Sequence, residues 1–126
     1  MSALRNMRVL VVENDEMNAS LLQLQLASQG ALVVGVASTV QAALELLVAQ
    51  EPHVVFLDYW LAGNENSVPV AVALCERGIP FVLATGMPVD EVPDVFNAGV
   101  KLAKPYLGAE LTRALQQAIE SASVKP

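Results

Sequence analysis

The sequence is sparing with features that would narrow its function quickly. One cysteine, Cys75, stands in 126 residues, so no internal disulfide can form, and a small core position on a helix is its expected place. The single histidine, His53, opens an apolar run and reads as a strand-start residue, neither a phosphohistidine nor a metal ligand. Basic residues number seven against thirteen acidic, and they are scattered. No basic stripe exists for a nucleic-acid backbone, so no nucleic-acid partner is expected. The opening MSALRNMRVLVVEND carries an apolar run of four residues before an acid, neither a signal peptide nor a membrane span. The expectation is a cytoplasmic protein with no membrane partner. No glycine-rich phosphate cradle is present, so a nucleotide or flavin role has no support.

Apolar residues, by contrast, make up 54% of the chain and charged ones 16%. That balance excludes disorder. At this length the whole chain, 1–126, is expected to form one domain with its own core. Five short apolar runs recur, at Arg8–Val12, Ala31–Val36, His53–Leu57, Pro80–Ala84 and Val100–Ala103. Most are β-branched or aromatic, and several are apolar at consecutive positions, as in parallel strands buried on both faces. Their starts lie about 20 to 27 residues apart, enough for a crossover helix between each pair.

Helical spacing fills the intervals. Residues 15–29 offer Met17, Leu21, Leu24 and Leu26; after Ser38 come Val40, Ala43, Leu44, Leu47 and Val48. Ser38 and Gln41 have capping-box spacing, and Pro52 stops that helix. Residues 67–77 offer Val68, Ala71, Val72 and Cys75, ending at Gly78, and the last helix offers Leu107, Leu111, Ala114, Leu115, Ala118 and Ile119. Segment 89–98 is weaker: Val92, Val95 and Phe96 face inward, while Pro93 limits it to a short helix. The alternation predicts an α/β fold, a doubly wound open sheet with helices on both faces. In such folds the site lies at the carboxyl ends of the strands.

The residues at those ends are Glu13-Asn14-Asp15-Glu16, Asp58, Thr85-Gly86 and Lys104-Pro105. Each alone is unremarkable; Asp15 and Glu16 also suit the acidic first turn of a helix. Together they suit phosphoryl transfer. A carboxylate at Asp58 can attack phosphorus, and a divalent cation must offset the repulsion between two anionic partners. Mg²⁺ takes a few carboxylates plus phosphate and water. Lys104 can neutralise one phosphoryl oxygen, and the Thr85 hydroxyl can hydrogen-bond another.

Taken in order, VLVVEN, VVFLDYWLAG, LATG and KPY make the chain resemble the receiver domain of two-component response regulators, from about Arg8 to Ile119. The resemblance implies a five-stranded flavodoxin-like sheet in the order 2-1-3-4-5 and a cis peptide before Pro105. It implies that Asp58 is the phosphoacceptor, Thr85 the switch hydroxyl and Lys104 the site lysine. Glu13, Asn14, Asp58 and the backbone carbonyl of Trp60 would hold Mg²⁺. The partners implied are a histidine kinase or phosphotransfer protein and a downstream protein, and a weak homodimer is compatible with the family. GIPFVLATGM further resembles a subgroup of single-domain receivers with a Phe-Ala-Thr-Gly fourth strand, Leu83 replacing the phenylalanine. Three positions depart from the family pattern: Asn14 where a second acid is usual, Lys101 where an aromatic or histidine is common, and Ala62 where proline is frequent. Asp15 stays open as a substitute ligand. Trp60 is open between loop packing and shielding of the phosphoryl group. Two other functions also stay open: a phosphate-independent pseudoreceiver, favoured by Asn14 and Lys101, and a small-molecule phosphatase, disfavoured by Trp60 where a second acid is needed.

Overall fold

The five apolar runs form one parallel sheet in the computed structural model, which describes residues 4–123. Its strands are β1 (Arg8–Val12), β2 (Leu32–Ala37), β3 (Val54–Asp58), β4 (Phe81–Thr85) and β5 (Val100–Ala103). Their order is β2-β1-β3-β4-β5, the expected one. Every residue of β3 and β4 is buried, which is why those runs need no polar alternation. β2 lies at an edge and leaves Leu32 and Val36 exposed. Asp58 and Thr85 are the last residues of their strands. Asp58 lies opposite Ala84 in the parallel ladder and Thr85 opposite Ala103, so sheet pairing fixes both backbones.

Successive strand residues alternate between two cores. Val9, Val11, Phe56 and Val82 pack beneath α1 (Glu16–Ser28) and α4 (Gly108–Ser123). Leu10, Val12, Leu57 and Leu83 pack beneath α2 (Val40–Gln50) and α3 (Val68–Arg77). α4 buries the expected Leu111, Ala114, Leu115 and Ala118, but Leu107 precedes the helix and is exposed.

The other helices match the expected stripes only in part, with Leu26, Ala43, Leu47 and Ala71 buried as expected. α1 buries Ala19, Leu22 and Leu26, leaving Met17, Leu21 and Leu24 in solvent. Both trios have helical spacing, so periodicity could not choose between two stripes on one cylinder. α2 buries Ala43 and Leu47 and exposes Val48; its N-cap is Thr39, whose hydroxyl accepts from the Ala42 N–H, not Ser38. α3 buries Val70, Ala71 and Leu74, while Val72 and Cys75 are exposed. Cys75 is therefore not a core residue. His53 caps the start of β3 as expected: its Nδ1 accepts from the Arg8 N–H at 2.9 Å.

No α-helix joins β4 to β5. Two 3-10 turns, Val89–Glu91 and Asp94–Ala98, take its place. Pro88 and Pro93 each disfavour α conformation in the residue before them, and Val92 is extended, with φ −76° and ψ 151°. The apolar residues still reach inward, with Val92 and Phe96 buried in the core under α3. Gly99 permits that close approach: a Cβ there would stand 2.4 Å from Phe81 Cε2.

Candidate functional site

Where β1, β3, β4 and β5 end, a cleft of about 520 Å³ opens. Glu13, Asn14, Asp58, Trp60, Thr85 and Lys104 all line it, so the sequence-predicted set converges. A hollow of about 590 Å³ lies at the opposite end of β4 and β5. Its one charged lining residue, Lys101, donates to the Asn97 carbonyl oxygen, and it contains no acid. The departure at Lys101 therefore lies away from the cleft.

Asp58 is buried at the floor. Its Oδ1 accepts from the Tyr59 N–H and from Lys104 Nζ, each at 3.0 Å. Lys104 reaches it from the end of β5, where its own N–H donates to the Thr85 carbonyl at 2.9 Å and its bond to Pro105 is cis, as the family resemblance implied. Lys104 Nζ also lies 3.7 Å from Glu13 Oε1. The Thr85 hydroxyl accepts from the Met87 N–H at 3.0 Å and so closes the turn after β4.

Glu13 and Asp58 both face Lys104, and their carboxyls shift in opposite directions. Burial, then the hydrogen bond and charge of Glu13, push Asp58 up to about 7, with Lys104 pulling the other way. Burial also opposes ionisation of Glu13, but Asp58, Lys104 and the Asn18 amide outweigh it and hold that carboxyl below its ordinary value. Two full carboxylates about 4 Å apart would repel by ~4 kcal/mol at an effective dielectric of 20. Burial and mutual repulsion set the two carboxyls against each other, and Lys104 offsets part of that cost. Such a pair, ringed by neutral oxygen groups, fits Mg²⁺, which is commonly bound through one or two carboxylates and keeps several waters.

Asn14 is exposed on the rim. Asp15 also lines the cleft, and its carboxylate caps α1 by accepting from the Asn18 N–H at 3.2 Å. Among the described residues, no group of three or more His, Cys, Asp or Glu stands where it could hold a metal. Trp60 is half exposed and meets Tyr59 edge-on, ring centroids 5.0 Å apart. Two residues of this site escaped sequence reasoning. Asn18, in the first turn of α1, donates its side-chain amide to Glu13 Oε1. Tyr106 follows Lys104-Pro105, and burial, then the Glu13 charge, push its phenol up to about 12 against the opposing effect of Asn18. The only signals available were Asn18's place in the first turn after the acidic run and Tyr106's place beside the lysine.

Among the described residues no helix is long and apolar enough to cross a membrane. No curated protein matches the sequence. Among solved structures, SdrG from Sphingomonas melonis Fr1 is similar, with 37% identity over 95% of this chain and 99% of that one and a TM-score of 0.78. The signal receiver domain of a modulated diguanylate cyclase from Desulfovibrio desulfuricans G20 shares 25% identity over 96% of this chain and 99% of its own, with a TM-score of 0.80. The response regulator PhyR from Brucella abortus shares 26% over 94% of this chain, with a TM-score of 0.80, and this chain covers 50% of its length. The family model for the response regulator receiver domain matches residues 9–116. The chain belongs to the response regulator receiver domain family.

Proposed function

We propose that Asp58 accepts a phosphoryl group from the phosphohistidine of a histidine kinase or phosphotransfer protein. The observation that carries this is the buried Asp58 carboxylate with Lys104 Nζ at 3.0 Å and Glu13 beside it. A carboxylate oxygen of Asp58 attacks phosphorus, the P–N bond to the donor imidazole breaks, and the imidazole leaves with the bonding electron pair and takes up a proton. Held by Glu13 and Asp58, with Asn14 and the Trp60 carbonyl as further oxygen donors, Mg²⁺ would supply the positive charge that lets both carboxylates ionise and draws charge from the phosphoryl oxygens. Lys104 stands ready to pair with one phosphoryl oxygen. Thr85 can give up its turn bond to Met87 and donate to another.

The donor protein meets the surface where α1 starts, beside the cleft, and the exposed Met17 and Leu21 on that helix give it apolar contact. The output is a protein–protein contact or removal of phosphate from a relay. The Leu83-Ala84-Thr85-Gly86 sequence supports a kinship with receivers bearing a Phe-Ala-Thr-Gly fourth strand. Intact-mass analysis after incubation with phosphoramidate and Mg²⁺ tests the reading: one phosphoryl unit is expected on the wild type and none on Asp58→Asn. An adduct that persists in Asp58→Asn refutes the assignment. The second reading, a phosphate-independent interaction module, is favoured by the neutral Asn14 on the rim. It requires that beryllofluoride with Mg²⁺ leave the protein's spectrum unchanged.

A further inference from the structure

Both carboxylate oxygens of Glu13 are engaged by neighbours. Its Oε2 accepts from the Asp15 N–H at 3.3 Å, and its Oε1 accepts the side-chain amide of Asn18 while facing Lys104. Asn18 is itself held on its own helix. Its backbone N–H donates to the Asp15 cap, and its side chain lies within reach of the Tyr106 phenol. The Tyr106 ring in turn packs on Phe56 of β3, with centroids 6.1 Å apart. A chain of contacts therefore runs from the core through Tyr106 and Asn18 to Glu13.

We propose that Asn18 is a positioning residue for Glu13, backed by Tyr106, and that this pair sets the affinity of the cleft for Mg²⁺. The inference rests on the reading of the cleft as an Mg²⁺-dependent phosphoacceptor site. The chemistry of the pair supports it. A glutamate has three rotatable side-chain torsions, and a cleft with two carboxylates depends on the direction of each. A lysine or arginine at position 18 would orient Glu13 but cancel its charge. An amide orients it and leaves the charge for the cation. The phenol is likewise neutral, so the support adds no competing cation.

The test titrates the full chain with MgCl₂, following Trp60 fluorescence, in wild type, Asn18→Ala, Tyr106→Phe and the double variant. Asn18→Ala is expected to bind Mg²⁺ about tenfold more weakly, or ~1.4 kcal/mol. Tyr106→Phe is expected to weaken binding less, and the double variant to be no weaker than Asn18→Ala, because Tyr106 acts through Asn18. At saturating Mg²⁺ the phosphorylation rate from phosphoramidate recovers towards the wild-type value. A merely structural Asn18 would instead lower the urea midpoint in EDTA and leave Mg²⁺ affinity unchanged, which overturns the inference. Should Asn18→Ala fail to fold, unchanged affinity in Tyr106→Phe overturns it equally, as does a wild type that shows no response to Mg²⁺. The phosphoacceptor reading is judged separately by mass. Mg²⁺ binding weakened in Asn18→Ala without any adduct on wild type refutes that reading and leaves the positioning role standing. An Asp58 adduct with unchanged affinity in both variants refutes the positioning role alone.

Discussion

The two walls of the cleft are built by opposite means. One wall is β1 and β3 with α1: its strands are buried, its connections are regular helices, and it carries two carboxylates at odds with each other. The other is β4 and the segment that follows. Its contribution to the cleft is a neutral hydroxyl, and after Gly86 the chain makes only 3-10 turns. Charge strain sits where the backbone is fixed, and the loosely bonded backbone keeps its own acids, Asp90, Glu91 and Asp94, out of the cleft lining. On the proposed reading, a change of charge at the first wall is read out by the second, which opens at lower free energy because it has few helical hydrogen bonds.

The largest expected effect concerns how the loose wall is anchored. Val92 and Phe96 are its buried residues, and Phe96 packs against Tyr59 and Phe81 with centroids 5.6 and 6.4 Å away. Phe96→Ala is expected to cost about 3–5 kcal/mol, comparable to Leu74→Ala in the regular helix α3. Urea unfolding measures both. A cost below ~1 kcal/mol for Phe96→Ala, with Leu74→Ala near 3, would mean that the segment is not anchored and that the contrast is one of order against disorder.

The strained wall is tested by removing its strain. The Asp58 carboxyl is raised to about 7 in the folded chain by burial and then by Glu13. A carboxyl raised on folding contributes its full stability below its unfolded value near 4, and that contribution is lost as pH rises to about 7. In EDTA at pH 8, Asp58→Asn is thus expected to be more stable than wild type by roughly 2–4 kcal/mol. Glu13 has the opposite sign, since its lowered carboxyl stabilises above pH 4 and loses that on acidification. The advantage of Asp58→Asn should accordingly vanish near pH 4 and shrink in Mg²⁺. Equal urea midpoints at pH 8 without metal would show that the pair is not strained.

Adding charge to the same wall should do the reverse. Asn14→Asp brings a third carboxylate to the rim and is expected to tighten Mg²⁺ about tenfold, or ~1.4 kcal/mol, while lowering metal-free stability. Asp15→Asn should leave Mg²⁺ binding near wild type, because asparagine caps a helix as well as aspartate does. If Asp15→Asn abolishes binding and Asn14→Asp changes nothing, Asp15 is the ligand and the geometry of the first turn is different in the loaded protein.

The convergence of Glu13, Asp58, Thr85 and Lys104 was legible in the sequence itself, whereas the sheet order came from the family resemblance. In a parallel α/β sheet, the residue after a buried apolar run has only one place to go. Helix rotation was not legible. α1 carries two apolar stripes that share Leu26, and only the packing on β1 and β3 turns Ala19 and Leu22 inward rather than Met17, Leu21 and Leu24. The same rotation sends Asn18 towards Glu13, so the supporting contacts of the site were hidden along with it. Cys75 misled for a related reason, as α3 turns Leu74 inward and leaves its neighbour outside. Segment 89–98 was half legible: Pro93 limited the helix, but the two prolines together remove it.

The smallest expected effect asks whether those prolines or the packing shape the loose wall. Pro93→Ala removes the restriction on Val92 and gives the unfolded chain more freedom, which costs about 0.4–1 kcal/mol of stability. Helix content should nevertheless stay as it is. Val92 must be extended for both it and Phe96 to reach the core, and Pro88, Gly86 and Gly99 remain to limit a helix. Circular dichroism and hydrogen exchange check this together. In wild type and variant alike, beryllofluoride with Mg²⁺ should alter exchange more at Gly86–Pro93 than at Val100–Ala103, because the Thr85 hydroxyl that accepts from Met87 N–H must turn to donate to the phosphoryl mimic. A gain of helix in Pro93→Ala would show that proline, not packing, holds the segment irregular. Larger changes at Val100–Ala103 would move the responsive wall from the turn after β4 to β5 itself.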